Sequence, residues 1–329
     1  MSSLLARQLV VVTGKGGVGK TTIAAAIGLL AAERGLKAII VEVGDQSRLP
    51  ALFGLPAHQP GVETQLAERL SSISIDPDRA LLEWLQALGG RVSGRVLASS
   101  GTFQYFAAAA PGAKELVTMV KIWELTQAKR WQRRARGYDL VVVDAPASGH
   151  ALGMLRSPHT FGAIARVGPV AGQAEKVRAL LEDPARSAYL AVALATEMAV
   201  TEALELQDDL HEQLVQSLDA VIVNGLLPQR FSGAELARIE AIDERPLAAV
   251  ARGGGGAAAP GDGNDDEAAL THAAIRAARS VHDRARLQRN QIARLRRRGF
   301  TVIGVPFAWG AQLDLPAVLT IAAHLGRRL

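Results

Sequence analysis

The sequence predicts an α/β protein with a mostly parallel central sheet, helices on both faces of that sheet and an added helical subdomain. Short β-branched runs alternate with longer stretches rich in Ala and Leu. Apolar residues form 49% of the 329 residues but aromatic residues only 4%, which suits strands buried on both faces. No internal repeat is visible, so we expect a single domain over 1–329.

The first elements form a strand–loop–helix–strand unit. We predict a strand over 8–13, a helix over 21–34 that ends at Gly35, and a second strand over 37–43. In such a βαβ unit the connection is right-handed and the two strands are parallel. This unit therefore begins the central sheet.

Two later regions show the helical spacing of apolar residues. The first spans 76–136, with helices from 76 onward and over 113–136. The second spans 151–218, within which 175–218 is expected to be almost entirely helical. We therefore predict a helical subdomain made of 76–136 and 151–218, inserted into the sheet domain.

Three more buried strands are expected between and after these helical regions, at 138–143, 219–223 and 301–305. A closing helix is expected over 315–325. The segment 252–266, RGGGGAAAPGDGNDD, is of low complexity and is predicted to be disordered. It interrupts the chain without separating two domains.

Composition excludes several classes of site. The chain has no cysteine, which excludes disulfides and thiolate metal sites and fits a cytoplasmic location. Residues 1–8 lack the apolar core of a signal peptide, and no apolar run is long enough to span a membrane. The net charge is +5, and the arginine-rich segment 281–298 is either a solvated helix face or a surface for an acidic partner.

The strongest motif is the glycine-rich stretch 14–22, GKGGVGKTT, which satisfies G-x-x-x-x-G-K-[ST] between a strand and a helix. Glycines let backbone N–H groups turn toward phosphate oxygens, and the helix N-terminus adds positive charge. We expect Lys20 to reach the β- and γ-phosphates of ATP and the Thr21 hydroxyl to bind Mg²⁺. The predicted nucleotide-binding residues of this stretch are Gly14, Gly16, Gly17, Val18, Gly19, Lys20, Thr21 and Thr22.

Two charged residues complete this picture. Asp144 ends the strand at 138–143, where open α/β sheets bind ligands, so it is predicted to hold Mg²⁺ through water. Its alternative role is to cap the following turn. Lys15 lies on the outer side of the loop, where it can neutralise phosphate charge across a dimer interface; otherwise it is a solvated lysine.

These motifs resemble a known family. GKGGVGKTT is similar to the deviant Walker A motif of the MinD, ParA and ArsA class, in which a lysine at the position of Lys15 acts in trans. Residues 144–150, DAPASGH, resemble the switch II sequence of the ArsA arsenical-pump ATPases and of the ATPases that deliver tail-anchored membrane proteins. Further similarities occur in the family's order at 75–77, 110–112, 221–224 and 305–307. The resemblance covers most of the chain outside 252–266.

This resemblance implies a dimeric P-loop NTPase that hydrolyses ATP with Mg²⁺. It implies a switch II made of Asp144, Pro146, Gly149 and His150. It also implies that Asn224 reads the adenine edge and that Pro306 and Phe307 border the adenine pocket. From the residues alone, the alternative roles are a turn residue for Asn224, a packed pair for Pro306 and Phe307, and a structural histidine for His150.

The chain departs from the family at switch I and in its cysteines. Gly44 stands where the family has the aspartate that positions water; Asp45 follows it and Glu42 lies two residues earlier. The predicted catalytic residues are Lys15, Lys20, Asp45 and Glu42; either Asp45 or Glu42 orients the attacking water in place of the missing aspartate, or hydrolysis is slow. Without cysteine there is neither an arsenite thiolate site nor a zinc clamp between subunits.

The leading hypothesis is an ArsA-like switch that dimerises with itself or with a paralogue. Its cargo would be an anion, or a hydrophobic membrane-protein client or membrane partner, with no nucleic acid involved. One alternative is a ParA- or MinD-like positioning ATPase that binds DNA or membrane through 281–298. The other alternative is a weakly hydrolysing or non-hydrolysing regulatory partner of a paralogous ATPase, which Gly44 favours.

Overall fold

A single eight-stranded sheet forms the centre of the computed structural model. The structure describes residues 4–44, 47–57, 59–99, 112–132, 135–165, 168–243, 262–310 and 313–329. The strands are β1 (Leu9–Gly14), β2 (Ala38–Val43), β3 (Thr64–Ala67), β4 (Leu70–Ile75), β5 (Leu140–Ala147), β6 (Ser187–Leu194), β7 (Ala220–Leu226) and β8 (Val302–Pro306). Their spatial order is β3-β4-β2-β5-β1-β6-β7-β8, and every neighbouring pair is parallel except β3 with β4.

Helices connect these strands. Within the described stretches they are α1 (Lys20–Glu33), α2 (Leu49–Leu52), α3 (Pro77–Ser99), α4 (Ala113–Leu125), α5 (Ser148–Ala165), α6 (Pro169–Leu181), α7 (Glu197–Leu214), α8 (Gly233–Asp243), α9 (Asp262–Arg297) and α10 (Leu315–Gly326). A short 3₁₀ helix, Leu4–Ala6, precedes β1.

Each face of the sheet carries its own apolar layer because side chains alternate along a strand. Leu9 and Val11 of β1 belong to the same buried cluster as residues of α4, α5, α6 and α7. Val10 and Val12 belong to a second cluster that contains residues of α1 and α10. A parallel sheet covered on both faces confirms the predicted α/β, P-loop NTPase fold class.

The expectation that 175–218 is almost entirely helical is wrong. Residues 187–194, SAYLAVAL, contain many Ala and Leu residues and few β-branched ones, so their local preference is helical. They form β6, which pairs with β1 on one side and β7 on the other. Seven of its eight residues are buried, and packing between two strands overrides helix propensity.

The helix predicted over 113–136 is also too long. α4 ends at Leu125, and the carboxylate of Glu124 accepts hydrogen bonds from Arg130 Nε at 2.6 Å and from the Trp131 backbone N–H at 3.0 Å. These bonds fold the following segment back onto the end of α4. The pair β3 and β4 was not predicted, since serines at 71, 72 and 74 obscure the apolar pattern.

The low-complexity segment 252–266 falls only partly within the described residues. Residues 252–261 lie outside them, and α9 begins at Asp262. The last five residues of the segment are therefore helical, contrary to the expected disorder. Acidic residues are abundant at 262–267, and negative charge near a helix N-terminus is favourable because it opposes the helix dipole.

Candidate nucleotide-binding site

The glycine-rich stretch lies at the centre of the carboxyl edge of the sheet. β1 ends at Gly14 and α1 begins at Lys20, so 15–19 form the connecting loop. β1 lies between β5 and β6, whose carboxyl ends flank the loop. Ligands of open α/β sheets bind at this edge, and the N-terminus of α1 opens toward it.

Three positions of the loop require glycine. Gly14, Gly17 and Gly19 have φ angles of 140°, 81° and 94°, which side chains of L-residues rarely adopt. A Cβ at Gly14 would overlap the carbonyl oxygen of Val192, and one at Gly19 would overlap the side-chain amide of Asn224. Both the backbone conformation and the close approach of neighbouring strands therefore depend on the missing side chains.

Lys20 is folded back over the loop. Its Nζ donates a hydrogen bond to the carbonyl oxygen of Lys15 at 3.0 Å. Burial lowers the pKa of the Lys20 ammonium, and the nearby Asp144 carboxylate partly offsets this effect. A half-buried cation above a ring of backbone amides is arranged to attract a multiply charged anion.

Asp144 and Thr21 face each other at the start of α1. The Thr21 hydroxyl donates to Asp144 Oδ2 at 2.6 Å, while Asp144 Oδ1 is buried and has no hydrogen-bond partner among the described residues. Burial raises the pKa of Asp144 to about 6; the Thr21 hydrogen bond and Lys20 oppose this rise, and Glu42 adds to it. A hydroxyl beside an unsatisfied carboxylate oxygen fits a hydrated divalent cation.

Of the two carboxylates predicted for switch I, the structure describes Glu42 but not Asp45. Glu42 is buried and accepts three hydrogen bonds from described residues: from Ser47 Oγ at 2.9 Å and from the N–H groups of Arg48 at 2.6 Å and Leu49 at 3.1 Å. Both of its oxygens thus fix the start of α2. Asp45 lies outside the described residues.

The switch II residues border the loop. The Thr13 hydroxyl donates to the carbonyl oxygen of Pro146 at 3.3 Å, and the register pairs Gly14 with Ala147. α5 begins at Ser148, so Gly149 and His150 occupy its first turn, where both are exposed. The structure brings Pro146 and Asp144 to the loop and leaves His150 at the surface.

Asn224 contacts the loop at the opposite side. Its Nδ2 donates to the carbonyl oxygen of Val18 at 2.9 Å. Phe307, next to Pro306 at the end of β8, donates its N–H to Leu226 O at 2.9 Å and keeps its ring 45% exposed. The structure therefore brings all three predicted base-pocket residues to neighbouring strand ends.

Sequence reasoning missed an aromatic residue at this edge. Trp309 packs edge-on against Phe307, with ring centroids 4.9 Å apart, and is 64% exposed. The guanidinium of Arg230 lies 5.6 Å from the Trp309 ring centroid. Tryptophan occurs only four times in the chain, and Trp309 lies three residues after the end of β8. Its place in the sequence could therefore have marked it as a candidate residue of this edge.

Sequence reasoning also missed the partner of Lys15. Lys15 Nζ lies 2.6 Å from Glu202 Oε1, a residue of α7, and both side chains are about one-third exposed. The pair joins residues 187 positions apart in the chain, so no local pattern marks it. In this structure the outer lysine of the loop is engaged by its own chain.

Comparison with known proteins agrees with this geometry. The family described as anion-transporting ATPases matches residues 7–168. ATPase BagA of Mycobacterium tuberculosis is 33% identical over 245 residues, which cover 72% of this chain and 70% of that protein. The chain belongs to the ArsA-like ATPase family. The arsenical pump-driving ATPase of Acidiphilium multivorum is 25% identical over 259 residues, covering 73% of this chain and 42% of that relative.

Membership confirms the resemblance read from the two motifs. The ArsA-like family generally uses ATP and Mg²⁺, and the stretch that matches it contains the loop, Thr21 and Asp144. None of the described helices combines the length and apolar character that a bilayer crossing needs.

Proposed function

We propose that this chain binds Mg·ATP at the loop 14–22 and acts as a nucleotide-dependent dimeric switch. One observation carries the proposal. The Thr21 hydroxyl and Asp144 Oδ2 are 2.6 Å apart beside the glycine loop, and Asp144 Oδ1 is buried without a partner among the described residues. A buried carboxylate oxygen without a partner is costly unless a ligand satisfies it.

The proposed roles follow from the positions of the side chains. The backbone N–H groups of the loop cradle the phosphates, and Lys20 exchanges its bond to the Lys15 carbonyl for the phosphate oxygens. Thr21 and Asp144 would hold Mg²⁺, which would supply positive charge beside the phosphates when bound. Asn224, Pro306 and Phe307 surround the base, and Trp309 extends this aromatic wall.

Hydrolysis is proposed to be slow. The attacking water needs a carboxylate to orient it, and Gly44 supplies none. Glu42 is poorly suited to this role, since both oxygens are already bonded to 47–49. Asp45 remains the proposed carboxylate. These features also favour a second candidate function, a regulatory subunit that binds ATP and pairs with an active paralogue.

Dimerisation is proposed to involve Lys15. The lysine would leave Glu202 and neutralise phosphate charge in the second subunit, which is either a second copy of this chain or a paralogue. ATP and ADP would then differ in their contacts with this lysine and with switch II, as a nucleotide switch requires. Handling of an anion or a hydrophobic membrane-protein cargo, and a cytoplasmic location, are parts of the same proposal.

Titration calorimetry with Mg·ATP tests the binding step. We expect saturable binding of the wild-type chain, weaker binding when EDTA removes Mg²⁺, and at least about a hundredfold loss in Lys20→Ala, because a charge-assisted contact to phosphate disappears. Absence of association at millimolar Mg·ATP, in a sample shown to be folded by circular dichroism, would refute the proposed function.

Phosphate release and light scattering test the later steps. We expect the wild-type chain to release phosphate slowly and Asp45→Asn to release none. We also expect light scattering to show a higher protein mass with ATP but not with ADP. Binding without release in the pure protein, followed by release on addition of a paralogue, would establish the regulatory alternative instead. A constant mass in both nucleotides would contradict the switch.

A further inference from the structure

The positive charge of this chain is concentrated in the part of α9 that follows the acidic stretch 262–267, together with the adjoining Arg298. Residues 269–298 contain nine arginines and one aspartate and no other charged residue apart from histidine. Their net charge is +8, whereas the whole chain carries +5, so the rest of the molecule has a net charge of −3. Such asymmetry indicates an electrostatic surface rather than an evenly solvated one.

Most of these arginines are not used by the fold. Seven are exposed and make no ion pair with any of the described residues. They are Arg276, Arg284, Arg286, Arg289, Arg296 and Arg297 of α9 and the adjoining Arg298, and they are named here the α9 arginines. Other exposed arginines, such as Arg156 and Arg327, also lack an ion pair among the described residues, so the α9 arginines are distinguished by their clustering in one segment.

The opposite face of α9 fixes the helix on the body of the protein. Ala285 and Leu295 are buried. Gln288 accepts from the Leu227 N–H at 2.9 Å and donates to the Gly225 carbonyl at 3.1 Å, and Arg294 donates to Thr201 Oγ1 at 3.1 Å. The α9 arginines are therefore presented by a helix that is anchored in place.

One exposed apolar side chain, Leu287, lies among the α9 arginines, and another, Leu270, precedes them on the same helix. Leu287 is 60% exposed and lies between Arg286 and Gln288 in sequence, and Leu270 on the same helix is 72% exposed. A helix with arginines and exposed leucines matches the interface of an anionic bilayer, where cations meet headgroups and leucines meet acyl chains. α9 contains no Phe, Tyr or Trp on which nucleic-acid bases could stack.

We propose that α9 is a peripheral binding surface for a bilayer that contains anionic phospholipids. The α9 arginines hold the headgroup phosphates, and Leu287 and Leu270 contact the acyl boundary. This inference stands independently of the proposed nucleotide function, since none of these residues belongs to the nucleotide site.

Vesicle flotation with the full chain tests the proposal. Vesicles of phosphatidylcholine alone are compared with vesicles that also contain phosphatidylglycerol, at low and high salt. We expect binding only to the anionic vesicles and its loss at high salt. The triple variant Arg284→Gln/Arg286→Gln/Arg289→Gln should bind about a hundredfold more weakly, at about fivefold per arginine. Leu287→Ser should weaken binding a few-fold.

A charge-matched control separates this surface from net charge. Lys114→Gln/Lys129→Gln/Lys176→Gln removes three exposed cations outside α9, and it should bind anionic vesicles nearly as the wild type does. Equal losses in both triple variants would overturn the proposal, as would vesicle binding that ignores lipid charge. Preference for duplex DNA over anionic vesicles at the same salt would assign α9 to nucleic acid and would also overturn it.

Discussion

Two acidic residues lie side by side at the carboxyl edge of the sheet, and they differ in the hydrogen bonds that their carboxylate oxygens accept. Glu42 of β2 and Asp144 of β5 are register partners on neighbouring strands. Glu42 has both oxygens bonded to the start of α2, whereas Asp144 shares one oxygen with Thr21 and keeps the other buried and unpartnered within the described chain. Two carboxylates at paired positions therefore have different roles: Glu42 supports the fold, and Asp144 is available to a ligand.

At this edge of the sheet, different residues are suited to ligand binding and to turnover. Asp144 is held in an unfavourable ionised state by burial and by the charge of Glu42, which prepares it for a cation. Glu42 is stabilised by N–H and hydroxyl donors and has little capacity left for water. The phosphate side of the edge is thus preorganised, while the switch I side depends on residues next to Gly44.

Among variants at the two carboxylates and at Glu202, Asp144→Asn is expected to have the largest effect. Mg²⁺ is expected to increase the affinity for ATP. Replacing a carboxylate that holds metal-bound water should reduce this increase by about tenfold to a hundredfold. Calorimetric titrations with and without EDTA measure this gain. An unchanged Mg²⁺ dependence would show that Asp144 is not the free partner of the pair.

Glu42→Gln should change stability instead of nucleotide affinity. A glutamine offers one carbonyl oxygen to three donors, so unfolding should become easier by about 1–3 kcal/mol while Mg·ATP affinity stays within about threefold. Thermal unfolding and calorimetry provide the two readouts. Ser47→Ala, which removes a single donor, is the milder control and should cost less. Loss of turnover at unchanged melting temperature would instead make Glu42 the catalytic carboxylate.

The pH dependence of stability distinguishes Asp144 further. Its pKa is raised from 3.8 to about 6, so the folded chain binds this proton more tightly than the unfolded chain. The ionised carboxylate therefore destabilises the metal-free fold above pH 6, and the penalty disappears as pH falls from about 6 toward 4. Asp144→Asn should be more stable than wild type by about 2 kcal/mol at pH 7.5, and less so at pH 5. Denaturant unfolding at both pH values measures it, and a pH-independent difference would contradict the raised pKa.

The smallest effect is expected from Glu202→Gln. The pair with Lys15 is about one-third exposed, so breaking it should cost the monomer only about 0.2–1 kcal/mol. The released Lys15 should favour ATP-dependent self-association by less than about fivefold, as sedimentation velocity would measure. Glu205→Gln on the same helix is the matched control. Weaker association in Glu202→Gln would place Glu202 in the dimer contact itself.

Much of the site could be predicted because it is encoded locally. We could predict β1 from its β-branched run, the loop from its glycines and α1 from its helix-forming residues. Asp144 was predicted because it ends the apolar run of β5. Each of these features lies within a short stretch whose conformational preferences agree with the final fold. The family motifs at 14–22 and 144–150 are of this kind.

Other features were decided only when distant segments met. β6 has a helical composition and becomes a strand because β1 and β7 leave a buried position between them. The buried Asp144 oxygen without a partner among the described residues and the pairing of Lys15 with Glu202 depend on the packing of distant segments, which no sequence pattern carries. Sequence determined which groups the chain possesses, and tertiary structure decided which of them remain free, because only packing fixes the partners of a buried or charged side chain.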